Sequence, residues 1–228
     1  MKTQVLAGPM GPFEIPALPE VTRQSCLYTC KEVWEGTPEY PFPSYEHADL
    51  PPADAVHVVI DVGCNIGAFS AWARKRWNDD IGIYGYEPIH EAALFAEQNN
   101  PFLVLIEAAV TCDPDPVLSL YPQWGRSSTH FVNDHGPAYP RAVEAVHPNE
   151  LPPCDVLKID CEGSEADVLA NYQHFTSVKC VMYEFHNEKL MNLCSLYCRR
   201  AGLRMVHLFD TAVVRKSTHH SGTAIWVK

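Results

Sequence analysis

Two acidic residues beside short apolar runs are the residues of this sequence best suited to bind a small molecule. The run Val58–Val62 contains Asp61 and leads into a turn, residues 63–67, that begins and ends with glycine. A second apolar run is followed by Glu87 and Pro88. Glycine lets the backbone turn sharply, and an acid after the second strand of a nucleotide-binding βαβ unit accepts hydrogen bonds from ribose hydroxyls. We therefore expect Glu87 to hold a ribose.

The composition of the turn distinguishes two classes of cofactor. A dinucleotide fingerprint reads G-x-G-x-x-G and brings a pyrophosphate to a helix N-terminus. Here Asp61 precedes the turn, and the segment Gly63-Cys64-Asn65-Ile66-Gly67 has asparagine where a middle glycine would stand. A carboxylate repels a pyrophosphate but suits an ammonium group, which S-adenosylmethionine (SAM) carries. The turn favours SAM, with NAD(P) binding and a purely structural turn as the alternatives.

A lysine and several carboxylates crowd a second turn, within residues 157–165. Crowded carboxylates raise one another's pKa, as a general base requires, so Asp160 and Glu162 are expected to be functional. We expect Glu165 and Asp167 only to favour the N-terminus of the next helix through its dipole. Ser164 is expected to cap that helix through its side chain.

Glu184 and His186 follow the next apolar run and are further candidates to remove a proton. An unperturbed histidine has the pKa best matched to neutral pH. A lone histidine at a strand end is also a common hydrogen-bonded structural residue. The loop of residues 125–130 could position an acceptor or be a solvated turn.

The elements that must position these residues alternate between strand and helix. Such alternation predicts an α/β fold with a mostly parallel sheet, whose strand ends meet at one edge. Predicted strands cover residues 56–62, 81–86, 102–106, 156–159 and 179–183, with an antiparallel pair at 203–208 and 223–227 and a short extra strand at 117–121. Predicted helices cover residues 68–77, 89–98, 164–172 and 188–200, the last ended by Gly202.

The first 55 residues differ from the rest and are predicted to form an N-terminal arm, followed by one domain over residues 56–228. Nine of the 19 prolines lie in this arm, which excludes a long helix or a central strand. We expect an extended segment with one helix around residues 22–33. It would pack on the domain, cover the mouth of the site, or join two copies as a homodimer.

The bulk composition limits the partners. The net charge is −11 and Lys and Arg form no run, which argues against nucleic acid and anionic membranes. The apolar run near the N-terminus is too short for a signal peptide, so we expect a cytoplasmic protein. Nine cysteines predict reduced, buried thiols. Zinc binding by Cys26, Cys30, Cys194 and Cys198 is a weaker alternative.

Three motifs together resemble the FkbM-type SAM-dependent methyltransferases. They are residues 61–67, the triplet Tyr86-Glu87-Pro88 and residues 157–165, and Cys64 departs from the usual alanine. The resemblance covers residues 58–186 and implies a Rossmann-like sheet of order 3-2-1-4-5-7-6 with methyl transfer to a hydroxyl of a small metabolite or sugar. By position, Asp61 and residues 63–67 would line the methionine side of SAM, Glu87 the ribose, and Glu107, Ala108 and Ala109 the adenine. Asp160 and Glu162 would face the methyl group.

Rival functions remain open beside an O-methyltransferase. One is an N-directed enzyme. Another is a metal-assisted methyltransferase in which Asp160, Glu184 and His186 bind a divalent ion. A third is a non-catalytic SAM-binding partner subunit, and a dehydrogenase is disfavoured by the turn.

Overall fold

The computed structural model describes residues 3–8, 10–16, 30–31, 33–35, 45–112, 120–122, 130–132, 143–210 and 221–228. The strands are β1 (Thr3–Gly8), β2 (Gly11–Pro16), β3 (Val58–Val62), β4 (Gly82–Tyr86), β5 (Leu103–Ile106), β6 (Ala109–Val110), β7 (Leu120–Pro122), β8 (His130–Val132), β9 (Ala145–Val146), β10 (Val156–Ile159), β11 (Cys180–Phe185), β12 (Arg204–Asp210) and β13 (Gly222–Val227). The helices are α1 (Ala68–Arg76), α2 (His90–Asn99), α3 (Glu165–Asn171) and α4 (Glu188–Arg200).

Seven strands form the central sheet, in the order β5-β4-β3-β10-β11-β13-β12. Numbered along the chain within this sheet, the order reads 3-2-1-4-5-7-6. Strands β3, β4, β5, β10 and β11 are parallel, whereas β13 is antiparallel to both of its neighbours. The expected α/β class with a mostly parallel sheet and a closing antiparallel pair is confirmed.

Successive residues of the buried strands point to opposite faces, and each face is covered by helices. Val59 and Val156 pack with residues of α1 and α2, while Ile60 and Leu157 pack with residues of α3 and α4. The near-continuous apolar runs that predicted these strands are therefore runs that are buried on both sides. Every parallel strand of the centre delivers its carboxyl end to the same edge.

Asp155 lies at the start of the two strands that begin later than predicted. Its carboxylate accepts the backbone N–H groups of His57 and Val58, so the chain joins β10 only from Val58 onward. Its carbonyl oxygen accepts the N–H groups of Lys179 and Cys180 at the start of β11. At the end of the sheet opposite the glycine turn, the Asp155 side chain thus accepts the N–H groups that a neighbouring strand would otherwise accept.

The first residues form an antiparallel hairpin, β1–β2, that the proline content did not predict. Asn99 of α2 clamps it, because its amide accepts from the N–H of Glu14 at 2.6 Å and donates to the Glu14 carbonyl at 2.8 Å. Phe13 is buried against Trp34, whose indole N–H donates to Ala68 at the start of α1. Of the helix expected around residues 22–33, residues 22–29 and 32 lie outside the described residues.

The described cysteines are all free thiols, and most of them are buried, as expected. Cys194 and Cys198 of α4 belong to the apolar core, while Cys26 lies outside the described residues. Gly202 has a left-handed φ of 79° directly after the last turn of α4, as predicted. None of the helices in the described ranges combines the length and apolar character needed to cross a membrane.

Candidate functional site

The glycine turn after β3 joins three strand ends. Gly63, Asn65 and Gly67 have left-handed φ values of 71°, 50° and 84°. The N–H groups of Gly63 and Cys64 both donate to the carbonyl of Tyr86 at the end of β4. A Cβ on Gly63 would lie 1.7 Å from the carbonyl oxygen of Asp160, so only glycine fits between β3 and β10.

Glu87 lies where the sequence predicts a ribose acceptor. It is 6% exposed, and its two carboxylate oxygens accept the N–H groups of Asn65 and Ile89, each at 2.9 Å. Burial raises its pKa to about 7, although the two backbone hydrogen bonds act in the opposite direction. A carboxylate has about four lone-pair sites, so each oxygen can accept one further hydrogen bond.

The turn after β5 lies beside Glu87, because the Glu87 N–H donates to the carbonyl of Ile106 at 3.1 Å. Pro88 is half-buried, and Ala108 and Ala109 are buried. Glu107 is exposed and contacts His90 at 2.8 Å. The structure therefore brings the residues expected to edge the ribose and the adenine to adjoining strand ends.

Asp61 is paired with a lysine from the neighbouring strand. Its side chain is fully buried, Ser70 donates to its Oδ2 at 2.8 Å, and Nζ of Lys158 lies 3.0 Å from its Oδ1. Lys158 stands opposite Asp61 in the register between β10 and β3, and it also donates to the carbonyl of Gly63 at 2.7 Å. The charge of the carboxylate is thus compensated by Lys158 inside the protein, and this ion pair lies directly beneath the glycine turn.

Asp160, Glu162 and His186 converge beyond β10 and β11. One ligand atom from each lies within 4.8 Å of the other two, and Nε2 of His186 lies 3.4 Å from Oε2 of Glu162. Glu184 pairs with Thr223 of β13 and does not belong to this group of three residues. Of the residues expected to bind a divalent ion, the structure therefore brings Asp160 and His186 together, with Glu162 rather than Glu184 as the third side chain.

Burial and the neighbouring charges shift the pKa values of Glu162 and His186. Burial raises the pKa of Glu162 to about 8, with a further increase from the charge of Asp160. Burial acts to lower the pKa of His186, but the carboxylates of Glu165 and Glu162 raise it to about 9. His186 is therefore an imidazolium at neutral pH, contrary to the expectation that its pKa suits a general base.

Ser164 occupies the N-cap position of α3, but its side chain makes no capping hydrogen bond. Glu165 instead accepts hydrogen bonds from the backbone of the turn. Its buried carboxylate accepts the N–H groups of Cys161 and Gly163 at 3.0–3.1 Å. The backbone of the turn is thus held by the residue that the sequence assigned to the helix dipole alone.

Two asparagines at the end of α2 support the glycine turn and were not singled out from the sequence. Asn100 is buried and its amide donates to the carbonyls of Gly67 and Ala96. Asn99 donates to the carbonyl of Ile66 at 3.3 Å. Asparagine at a helix C-terminus was the available signal. The loop expected at residues 125–130 lies, apart from the backbone of His130, outside the described residues.

No model of a known protein family matches this sequence, and no curated protein sequence matches it. Similar solved structures include the precorrin-6y C5,15-methyltransferase of Geobacter metallireducens, with 10% identity, 93% of each chain covered and a TM-score of 0.47. The ribosomal protein L11 methylase of Lactobacillus delbrueckii has 12% identity, with 91% of this chain and 80% of that one covered and a TM-score of 0.45. Fibrillarin of Aeropyrum pernix, solved with bound SAM, has 10% identity, coverage of 76% and 66%, and a TM-score of 0.46.

The described geometry defines the class of this protein. A mostly parallel seven-stranded sheet, covered by helices on both faces, places a glycine turn after its first strand and a buried acid after its second. This is an α/β protein of the Rossmann-like type.

Proposed function

We propose that this protein is a SAM-dependent methyltransferase of the FkbM type that methylates a hydroxyl oxygen of a small metabolite or sugar. The observation that carries the proposal is the position of Glu87. Its buried carboxylate lies directly against the left-handed glycine turn, through the hydrogen bond from Asn65, and it retains acceptor capacity on both oxygens. The three motifs that resemble the family all lie at this edge of the sheet.

The residues at this edge suit SAM. Its two ribose hydroxyls need hydrogen-bond acceptors, and Glu87 offers two oxygens. Lys158 cancels the charge of Asp61, so the ammonium group of SAM would meet the backbone carbonyls and polar groups of the turn rather than Asp61. When bound, SAM supplies a methyl group on a positively charged sulfur.

The group of Asp160, Glu162 and His186 lies on the acceptor side of this arrangement. Asp160 packs directly against Gly63, so the acidic group adjoins the turn that would bind the cofactor. A hydroxyl acceptor must lose its proton as its oxygen bonds to the methyl carbon. His186 is already protonated at neutral pH, and the raised pKa of Glu162 keeps that carboxyl largely protonated too, which leaves the carboxylate of Asp160 to receive the proton.

Calorimetric titration with SAM, S-adenosylhomocysteine and NAD tests the cofactor. We expect the first two to bind and NAD not to bind. Glu87→Gln should weaken SAM binding by about 1–3 kcal/mol, the scale of a hydrogen bond to a charged group. Glu97→Gln, an exposed change of the same kind on α2, should leave the affinity unchanged.

The pH dependence supplies a second test of Glu87. Because its pKa is about 7 and only the ionised carboxylate accepts on all four sites, SAM affinity should fall about tenfold from pH 8 to pH 6. Glu87→Gln should remove this dependence. Binding of NAD without SAM, or a pH profile unchanged in Glu87→Gln, would contradict the assignment.

A further inference from the structure

The side chains of Asp160, Glu162 and His186 form a compact set of oxygen and nitrogen donors. Their ligand atoms all lie within 4.8 Å of one another. Ligands bonded to a metal at about 2.0–2.2 Å lie about 2.8–3.1 Å apart in octahedral geometry and about 3.3–3.6 Å apart in tetrahedral geometry. The 3.4 Å between His186 Nε2 and Glu162 Oε2 already matches the tetrahedral spacing, and a ligand atom of Asp160 lies within 4.8 Å of both residues.

One of these three metal-ligand atoms is buried and has no hydrogen-bond partner among the described residues. Oε2 of Glu162 is inaccessible to solvent and accepts no hydrogen bond from any residue in the described ranges. Its contact with Nε2 of His186, at 3.4 Å, does not have the geometry of a hydrogen bond. A buried carboxylate oxygen that lacks a hydrogen bond is costly, and a bound cation would relieve that cost.

The backbone holds Glu162 in an uncommon conformation that aims it inward. Its φ is 59°, in the left-handed region that non-glycine residues seldom adopt. Glu165 fixes this turn by accepting the N–H groups on both sides of Glu162, those of Cys161 and Gly163. Asp160 and Glu162 therefore stand on a turn after β10 that Glu165 holds by hydrogen bonds, and His186 stands directly after β11.

We propose that Asp160, Glu162 and His186 bind a divalent transition-metal ion, and that this ion holds the hydroxyl of the methyl acceptor. An imidazole with two carboxylates favours Mn²⁺, Fe²⁺ or Zn²⁺ over Mg²⁺, which prefers oxygen ligands alone. Three protein ligands leave coordination positions open to the acceptor oxygen. Coordination lowers the pKa of a bound hydroxyl. This inference rests on the proposed function for the acceptor, but the metal site itself does not.

Mn²⁺ binding to the full-length protein, without SAM, tests the site. After dialysis against a chelator, the protein is titrated with MnCl₂, and free Mn²⁺ is followed by electron paramagnetic resonance. We expect saturable binding of one ion per chain, with Mg²⁺ competing weakly. Glu162→Gln and His186→Gln should each weaken binding by more than about tenfold. Asp167→Asn, an equal change of charge on an exposed residue of α3, should bind as the unchanged protein does.

The outcomes separate this inference from the proposed function. Circular dichroism without metal shows whether each variant is folded, and the titration of the unchanged protein needs no variant. Absence of saturable Mn²⁺ binding to the unchanged protein would overturn the metal site, even if SAM binds. Equal loss of binding in Asp167→Asn would also overturn it. Binding that depends on Glu162 and His186 would support the metal site, even if SAM fails to bind and the proposed function falls.

Discussion

Replacing Lys158 with methionine measures how far the centre of the sheet depends on one buried ion pair. Nζ of Lys158 lies 3.0 Å from Asp61 and donates to the carbonyls of Val62 and Gly63, and the two charged side chains are 4% and 0% exposed. Methionine keeps the apolar stem but removes the ammonium group from Oδ1 of Asp61 and from both carbonyls, so the buried carboxylate keeps only the hydrogen bond from Ser70. Loss of one partner of a buried pair costs about 3–5 kcal/mol. At about 2–4 °C per kcal/mol for a chain of this size, the melting temperature should fall by about 6–20 °C.

Lys179→Met is the matched control, because Lys179 also pairs with an aspartate, Asp155, at 2.7 Å. Its side chain is 41% exposed, and Asp155 keeps the N–H groups of His57 and Val58. Exposed pairs contribute about 0–1 kcal/mol, so we expect a loss of about that size.

The assay is urea denaturation followed by tryptophan fluorescence at pH 7. Burial acts to lower the pKa of Lys158, but Asp61 and Asp160 raise it above its ordinary value. The contribution is therefore complete below the unfolded pKa of about 10.4 and is lost only as the pH rises further. A loss in Lys158→Met no larger than that in Lys179→Met would refute the reasoning.

Two further substitutions test the support of the glycine turn. Gly63→Ala should destabilise the protein by about 1–3 kcal/mol more than Gly163→Ala. Both glycines have positive φ, but only at Gly63 would the added Cβ clash with a backbone atom. Equal losses of stability in urea denaturation would contradict the close approach of Gly63 to the end of β10. Asn99→Ala removes the clamp on Glu14 and should lower the free energy of unfolding by about 1–2 kcal/mol. Hydrogen exchange should then speed up in β1 and β2 but not in β10, and unchanged exchange in the hairpin would show that the apolar contacts alone hold it.

The sequence predicts best those strands and helices whose ends are determined by neighbouring residues in the chain. The strand Val156–Ile159 was predicted to the residue because acids flank its apolar run, and α4 ends as expected because Gly202 takes a left-handed φ. The position of Glu87 at a strand end follows from the same local pattern. These features need no knowledge of which strand pairs with which.

The features that the sequence did not predict depend on distant partners. The burial of Asp61 follows from the register that sets Lys158 across from it, 97 residues later in the chain. The hairpin β1–β2 contacts Asn99 of α2, and the prolines of this segment argued against strands in the sequence. The high pKa of His186 depends on carboxylates that reach it from another turn. Long-range packing overrides local composition in each case.

The place of β13 has a consequence for how this chain folds. It follows β12 in sequence, yet it lies between β11 and β12 and is buried along its whole length. Until residues 222–227 have been synthesised, β11 presents an unpaired edge rich in apolar residues, and β12 has nothing to join. Such edges recruit strands from other chains. A nascent or truncated chain lacking β13 is thus exposed to aggregation, and the sheet is complete only when β13 lies between two strands rather than at its rim.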